Sequence, residues 1–452
     1  MHNILTRPAD SADPKRAGDT VIRVPRYVLL AIPVTLAVVA GPPITIVYRL
    51  TRSADAATGS FSVAQAARGL LCILMFSSLL HSTGLSLLKH RLIRPLLFLA
   101  AYAVVTSFAG LFPYENIVFA VKMIFITLVF ANAFHLAEEG LFGERWLTAC
   151  AWIVLLIIVL NTGIGLAIGR SVGVYESPYA TAGLIDEPSV ASALTLSVLP
   201  VFLKSVPNSS SAIAGVVFLL TSLFFTMCRS SLIAAVAATC GSFVISLSSF
   251  RHRIPRRRVS APAGILILLA VIGLNTPAGA DLIARFRDLN PLEGAGSGRY
   301  FFWQVSLKHI VNRPMYLQLQ GEGMGSIRDV IGQQTGLSIG AHNDWLDLVH
   351  SFGLFGLIGI SWWYSELARL AWRFRDRRDG LFQGACATLI MLGLISIGTG
   401  GIFEPSWALS YAALGFWAGR TERISSGPEL DTRSSMIKSS PTAVCKVTPR
   451  VT

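Results

Sequence analysis

Apolar runs long enough to cross the roughly 30 Å hydrocarbon core of a bilayer recur along most of this chain. They begin near Tyr27, Val63, Pro95, Asn116, Trp146, Glu187, Ala212, Arg229, Ala261, Phe352, Leu381 and Ser406. Hydrocarbon offers a backbone amide no water to bond with, so such runs must satisfy their own polar groups as helices. The pattern predicts an all-α polytopic membrane protein of about 12 transmembrane helices, in which the Ala261 and Ser406 runs are the shortest. Composition supports this: 53% of residues are hydrophobic and 14% charged, and the mean hydropathy of +0.59 is too high for a soluble domain.

A net charge of +13 would point to nucleic acid in a soluble protein. Here the basic residues gather at the ends of apolar runs, as topology signals do, so no nucleic-acid partner is expected and the partner surface is membrane lipid. Arg23 and Arg26, then Lys89, Arg91 and Arg94, then Arg251, Arg253, Arg256, Arg257 and Arg258, then Arg373, Arg375, Arg377 and Arg378 all fall on one face when the runs are counted. That face is the cytoplasmic one, and both termini lie on it. The six cysteines sit in or beside apolar runs without CxxC pairing, which argues against a disulfide framework or a zinc site. The run after the basic N-terminal segment lacks a small-residue cleavage site and is expected to stay as the first span.

The expected organisation is a cytoplasmic segment at 1–26, nine spans over 27–275, a large outside loop at 276–350, three spans over 351–419, and a disordered cytoplasmic tail rich in Ser, Thr, Pro and Lys at 420–452. In the outside loop the positive residues are matched by Asp281, Asp288, Glu293, Glu322, Asp329 and Asp344, so it lacks a cytoplasmic excess of positive charge. Residues 300–310 carry apolar side chains on a helical face, and 344–349 lead directly into the next span. Two amphipathic helices on the outer membrane surface, joined by a glycine-rich turn through Gly321, Gly323 and Gly325, are predicted. A smaller outside loop at 169–189, with Arg170, Tyr175, Tyr179, Asp186 and Glu187, is expected to form a facing wall. The stripe Tyr300, Phe301, Phe302 and Trp303 is read as an interfacial anchor.

Four motifs occur in order: Cys-Arg-Ser-Ser-Leu at 228–232, Ser-Gly-Arg then Trp at 297–303, Gly-Glu-Gly-Met-Gly-Ser at 321–326, and Ala-His-Asn-Asp-Trp-Leu at 341–346 followed by Gly-Leu-Phe-Gly at 353–356. In content, order and spacing they resemble the O-antigen ligase and O-antigen polymerase superfamily of bacterial envelope glycosyltransferases. The resemblance covers about 229–356, and the flanking spans agree in number and hydrophobicity. It implies a GT-C-like membrane fold in the bacterial inner membrane, with an active site facing the periplasm. It also implies inverting, metal-independent transfer of a glycan from a polyprenyl pyrophosphate carrier, with no cofactor; a chain-length regulator and a flippase are the protein partners that go with such a system.

The residues themselves suggest how such a transfer would run. Little nucleotide sugar exists outside the cytoplasmic membrane, so a sugar transferred there must arrive activated on a lipid-linked pyrophosphate. Arg229 and Arg299 suit the departing pyrophosphate, because a guanidinium stays protonated and pairs bidentately with phosphate oxygens; Arg313 and Arg328 are further candidates. The acceptor hydroxyl needs a general base. His342 is the natural choice, with Glu322 as the alternative and Asn343 or Asp344 to orient the ring. Each has a competing structural reading: Arg229 snorkelling at a span junction, Arg299 in a surface ion pair with Glu293, and His342 capping the next helix beside Asn343, the better cap. The expected activity is a polymerase that moves a growing glycan onto a lipid-linked repeat unit. The alternative is a ligase that moves the finished glycan onto lipid A core. A transporter for lipid-linked sugars is disfavoured, because the polar groups cluster outside rather than at the bilayer midplane.

Overall fold

The computed structural model describes residues 26–47, 63–82, 90–109, 112–168, 179–185, 187–206, 209–249, 271, 273–287, 299–336, 339–375 and 380–438. Among these residues the regular structure is helical and no strand occurs. The principal α-helices are α1 (Arg26–Val39), α2 (Val63–Ser82), α3 (Ile93–Ala109), α4 (Pro113–Glu138), α5 (Glu144–Ala167), α6 (Pro188–Ser205), α7 (Ser210–Thr226), α8 (Arg229–Ser249), α9 (Pro277–Arg287), α10 (Arg299–Asn312), α11 (Met315–Gln320), α12 (Ser326–Thr335), α13 (Asp344–Arg373), α14 (Leu381–Gly398) and α15 (Ala408–Lys438).

Helix starts follow the apolar runs closely, because the apolar content is what drives these segments out of water. The run at Phe352 is the exception: α13 begins at Asp344 and bends at Gly353, whose backbone is non-helical, so its first two turns stand before the span. The Ala261 run and the Arg251–Arg258 group lie outside the described residues. Helices α4, α5, α6, α13 and α14 are long and apolar enough to cross a membrane, and Gln65–His81, Ile93–Phe108 and Ser210–Thr226 are shorter apolar helices. Large apolar side chains such as Ile73, Val105, Phe108 and Leu156 face outward from the bundle, which suits lipid and would be unfavourable in water. The interior is dense with aromatics, among them the fully buried Trp363, Trp407, Tyr411, Trp417 and Phe352.

The helices bring charge to one end of the bundle. His90, Arg91 and Arg94 at the start of α3 line a cavity with Arg369, Arg373 and Glu422, so two of the basic clusters share a face. At the opposite end lie the starts of α4, α6, α8 and α13 and the end of α14.

The loop before α13 differs from the expected two helices. It holds α9, α10, α11, α12 and the first turns of α13; Pro314 interrupts helix after α10, and glycines with positive φ follow α11 and α12 at Gly321 and Gly336. The glycine-rich turn joins α11 to α12. It is docked onto the bundle, where the Met324 N–H donates to Asn116 Oδ1 at 2.6 Å and the Tyr102 hydroxyl donates to the Gln320 carbonyl at 3.2 Å. The aromatic stripe also splits: Tyr300 and Phe301 are exposed, whereas Phe302 is buried and Trp303 donates to the Ala341 carbonyl at 3.0 Å. Helix α15 runs to Lys438, into the stretch whose composition suggests a disordered tail. Extending a nucleated helix adds one backbone bond per residue fixed, which composition alone does not register; residues 439–452 lie outside the described ones.

Candidate active site

His342 stands in a turn whose shape is set on both sides. Trp303 holds the Ala341 carbonyl, and the Ala341 N–H donates to Asp347 Oδ1 at 3.1 Å. His342 itself has φ of 55°, a left-handed conformation rare for a non-glycine residue, and such strain persists where surrounding bonds enforce it. Asn343 then caps α13, its Oδ1 accepting from the N–H groups of Trp345 at 3.0 Å and Leu346 at 3.1 Å. Capping therefore belongs to Asn343, whose Oδ1 is taken up by it. The buried Asp344 is committed as well, accepting from the N–H groups of Gly401 at 2.6 Å and Ile402 at 3.1 Å.

Those two bonds tie the histidine turn to the Gly-Thr-Gly-Gly loop that follows α14. Gly400 has φ of +73°, and a Cβ there would lie 3.3 Å from Asp344 Oδ1 and 3.4 Å from the Asn343 nitrogen, so a side chain would press the two turns apart. At this junction the Thr399 backbone lies close enough to His342 to favour the charged form of its ring, and Arg299 donates through Nη1 to the Gly398 carbonyl. The Thr399 hydroxyl shares a hydrogen bond with Ser230, the residue after Arg229, which in turn donates to the Arg285 carbonyl. Two of the sequence candidates, Arg299 from α10 and His342 from the turn before α13, thus converge on the end of α14, where Ser230 of α8 also bonds, while the Arg229 side chain turns to the end of α9.

The electrostatics of His342 follow from this packing. Burial, and next the Arg299 guanidinium, hold its pKa below the ordinary histidine value, with Arg328 adding to the effect and the Thr399 carbonyl and Glu187 opposing it. The lowered pKa favours the neutral imidazole, one ring nitrogen of which carries a lone pair. That is the state a general base requires. Glu187, from the segment just before α6, bears on this cluster; residues 169–178 and Asp186 of that segment lie outside the described ones.

The remaining candidates lie elsewhere in the loop. Arg313 is buried, with Nη1 and Nη2 donating to the carbonyls of His350 and Val349, each at 2.9 Å. It braces the helix just before the Gly353 bend. Arg328 is exposed on α12. Glu322 accepts from or donates to His309 Nε2 at 3.0 Å, according to protonation state, and lies 3.8 Å from His350 Nε2. Among the described residues, His309, Glu322 and His350 form a group whose donor atoms are close enough to share a metal ion. In the glycine-rich turn, Gly321, Gly323 and Gly325 all have positive φ. A Cβ on Gly321 would lie 2.2 Å from the Ser351 carbonyl oxygen, so glycine lets the turn pack directly on the α13 backbone, where the Gly323 N–H donates to Ser351 at 2.9 Å.

Sequence reasoning missed the Gly398–Gly401 backbone, Ser230 and Asp347. The Gly-Thr-Gly-Gly break at the end of an apolar run was the available signal. It also overlooked the ion pair of Lys122 with Glu404 at 2.5 Å, which ties α4 to the same loop.

Residues 214–361 match the family model described as O-antigen ligase. No curated protein matches the chain.

Proposed function

We infer, for a chain that belongs to the O-antigen ligase and polymerase superfamily through residues 214–361, that it transfers a glycan from a polyprenyl pyrophosphate carrier at the outer face of the cytoplasmic membrane. The proposed arrangement has about twelve spans in a GT-C-like bundle, with the basic end cytoplasmic and the His342 end periplasmic. The observation that carries this reading is the meeting of His342 and Arg299 at the end of α14, with Arg229 next in sequence to the Ser230 that bonds to Thr399. The acceptor hydroxyl gives its proton to the unprotonated nitrogen of His342 as its oxygen bonds to the anomeric carbon. The bond from that carbon to the pyrophosphate oxygen breaks in the same displacement, which inverts the anomeric centre. Negative charge grows on the leaving pyrophosphate, and the guanidinium groups stabilise it. Arg299 gives one N–H to Gly398, and a guanidinium has five to offer.

The preferred activity is a polymerase, with the lipid-linked repeat unit as acceptor. The ligase reading, with lipid A core or another acceptor, is kept because O-antigen ligase is the description of the matching family. Envelope glycans of a deletion strain separate the two. A single repeat unit on the final acceptor marks loss of a polymerase, whereas long unattached chains mark loss of a ligase. Normal glycans would overturn both. A flippase reading is disfavoured, since the cluster sits at the ends of helices rather than at the middle of spans.

A further inference from the structure

The second cluster has a feature that hydrogen bonding within the protein does not satisfy. Ser326 Oγ donates to the Gly323 carbonyl at 2.7 Å, and a hydroxyl has one proton. In its 2.9 Å bond with His350 Nδ1 the serine must therefore accept, so Nδ1 carries the imidazole proton. In the neutral ring Nε2 then bears only a lone pair. That atom is wholly buried and has no hydrogen-bond partner, and it points at a Glu322 carboxylate oxygen 3.8 Å away. A lone pair aimed at a carboxylate, with no proton between them, is electrostatically unfavourable unless a cation lies between.

A third donor is in place. His309 Nε2 lies 3.0 Å from Glu322, its ring is stacked on that of His350 at 4.9 Å between centroids, and the donor atoms of all three residues fall within 4.8 Å of one another. Around tetrahedral zinc, with bonds of about 2.0–2.1 Å, neighbouring donors stand roughly 3.3 Å apart and the ion lies in the plane of each imidazole. Closing the set therefore takes side-chain shifts of about 1 Å together with a rotation of the partly exposed His309 ring out of its stack on His350. His309 keeps about a third of its side chain exposed, which leaves an entry path and a fourth position for water. Ser326 fixes the tautomer and orientation of His350, as an outer-sphere partner of a metal-bound histidine does.

We propose that His309, Glu322 and His350 form a binding site for a divalent metal ion of the zinc class. The ion clips α10, the glycine-rich turn and the end of the first two turns of α13 to one another. It takes no part in glycan transfer, which the His342 cluster performs, and the inference stands independently of the donor and acceptor.

The test uses the full-length chain, purified in detergent without a polyhistidine tag, loaded with Zn²⁺ or Co²⁺ and dialysed against metal-free buffer. The expected result is one metal per chain by elemental analysis and, for Co²⁺, the intense visible absorption of a four-coordinate site. His309→Ala, at the exposed edge of the cluster, and Glu322→Gln should each abolish stoichiometric retention. Ser326→Ala should weaken affinity by about 10- to 100-fold. Far-UV circular dichroism and size-exclusion elution confirm that each variant is folded. Retention below about a tenth of an ion per chain in the wild type, the order of magnitude of adventitious carry-over, would overturn the proposal. Equal retention by wild type and folded His309→Ala would overturn it also.

Discussion

His342 and His350 stand at opposite ends of the first two turns of α13, eight residues and roughly 12 Å apart along the helix. Their surroundings differ in kind. His342 lies at a junction of turns from different parts of the chain, with the Thr399 backbone and the charges of Arg299, Arg328 and Glu187 acting on its ring. His350 is wholly enclosed, and its neighbours Arg313, Ser326 and Glu322 all come from the same loop. Chemistry on an external substrate suits the first arrangement, because a proton must be taken from something that arrives. The second holds a loop in shape.

The contrast is broken most directly at His342. General bases contribute about 10² to 10⁴-fold, so His342→Ala should lower glycan transfer by that order in an assay with purified protein and lipid-linked donor. His342→Asn should be equally inactive. Because Asn343 already caps α13, a second asparagine gives the helix nothing, and restored activity would remove the base assignment. Arg299→Ala should cost about 10² to 10³-fold, the range for removing one preorganised donor from a developing anion. Arg299→Lys should recover little of this if the fork matters, and full activity in the lysine variant would reduce Arg299 to a point charge.

Arg313 sharpens the other side. Its guanidinium satisfies two carbonyls, and leaving buried acceptors unpaired costs about 1–3 kcal/mol each. Arg313→Ala should therefore lower thermal stability in detergent while the folded fraction retains its turnover. A specific loss of turnover at unchanged stability would move Arg313 into the reacting cluster.

Both clusters were partly legible in the sequence, for different reasons. His342, Arg229 and Arg299 lie in motifs with polar residues where apolar ones prevail, so they stood out. The approach of His342 and Arg299 to the end of α14 did not, since Arg299 is held there by the backbone carbonyl of Gly398, and a carbonyl has no residue signature. The span starts were readable because hydrocarbon imposes apolarity over a fixed length. The short helices α11 and α12 were not: six and ten residues are too few to be stable alone. They are held by Asn116 and Tyr102, which lie about 200 residues away in sequence and have no periodicity linking them to the loop. The bonds of Arg313 to two backbone carbonyls and of Glu322 to His309 were not legible either, since charge and position in the loop do not reveal which partners the fold supplies.

The smallest expected effect, and the most specific to His342, is in the pH dependence. Burial strips water from an imidazolium, and the Arg299 charge repels it, so the folded protein holds His342 neutral below the pH at which a free histidine charges. The sign for stability follows: the unfolded chain binds this proton more readily, so the contribution is complete above about pH 6.5 and is lost as pH falls through the lowered folded value. For catalysis the base form is the active one. The acid limb of kcat/KM should therefore lie below about pH 6.5, with more than half the maximal rate remaining at that pH and a tenfold fall per unit beyond the limb. Arg299→Met removes the repelling charge, so its residual activity should show the limb displaced upward toward the free value, whereas Arg328→Met, at an exposed and lesser contributor, should displace it less. A limb above pH 6.5 in the wild type, or one that Arg299→Met leaves in place, would mean that the titrating base is not His342.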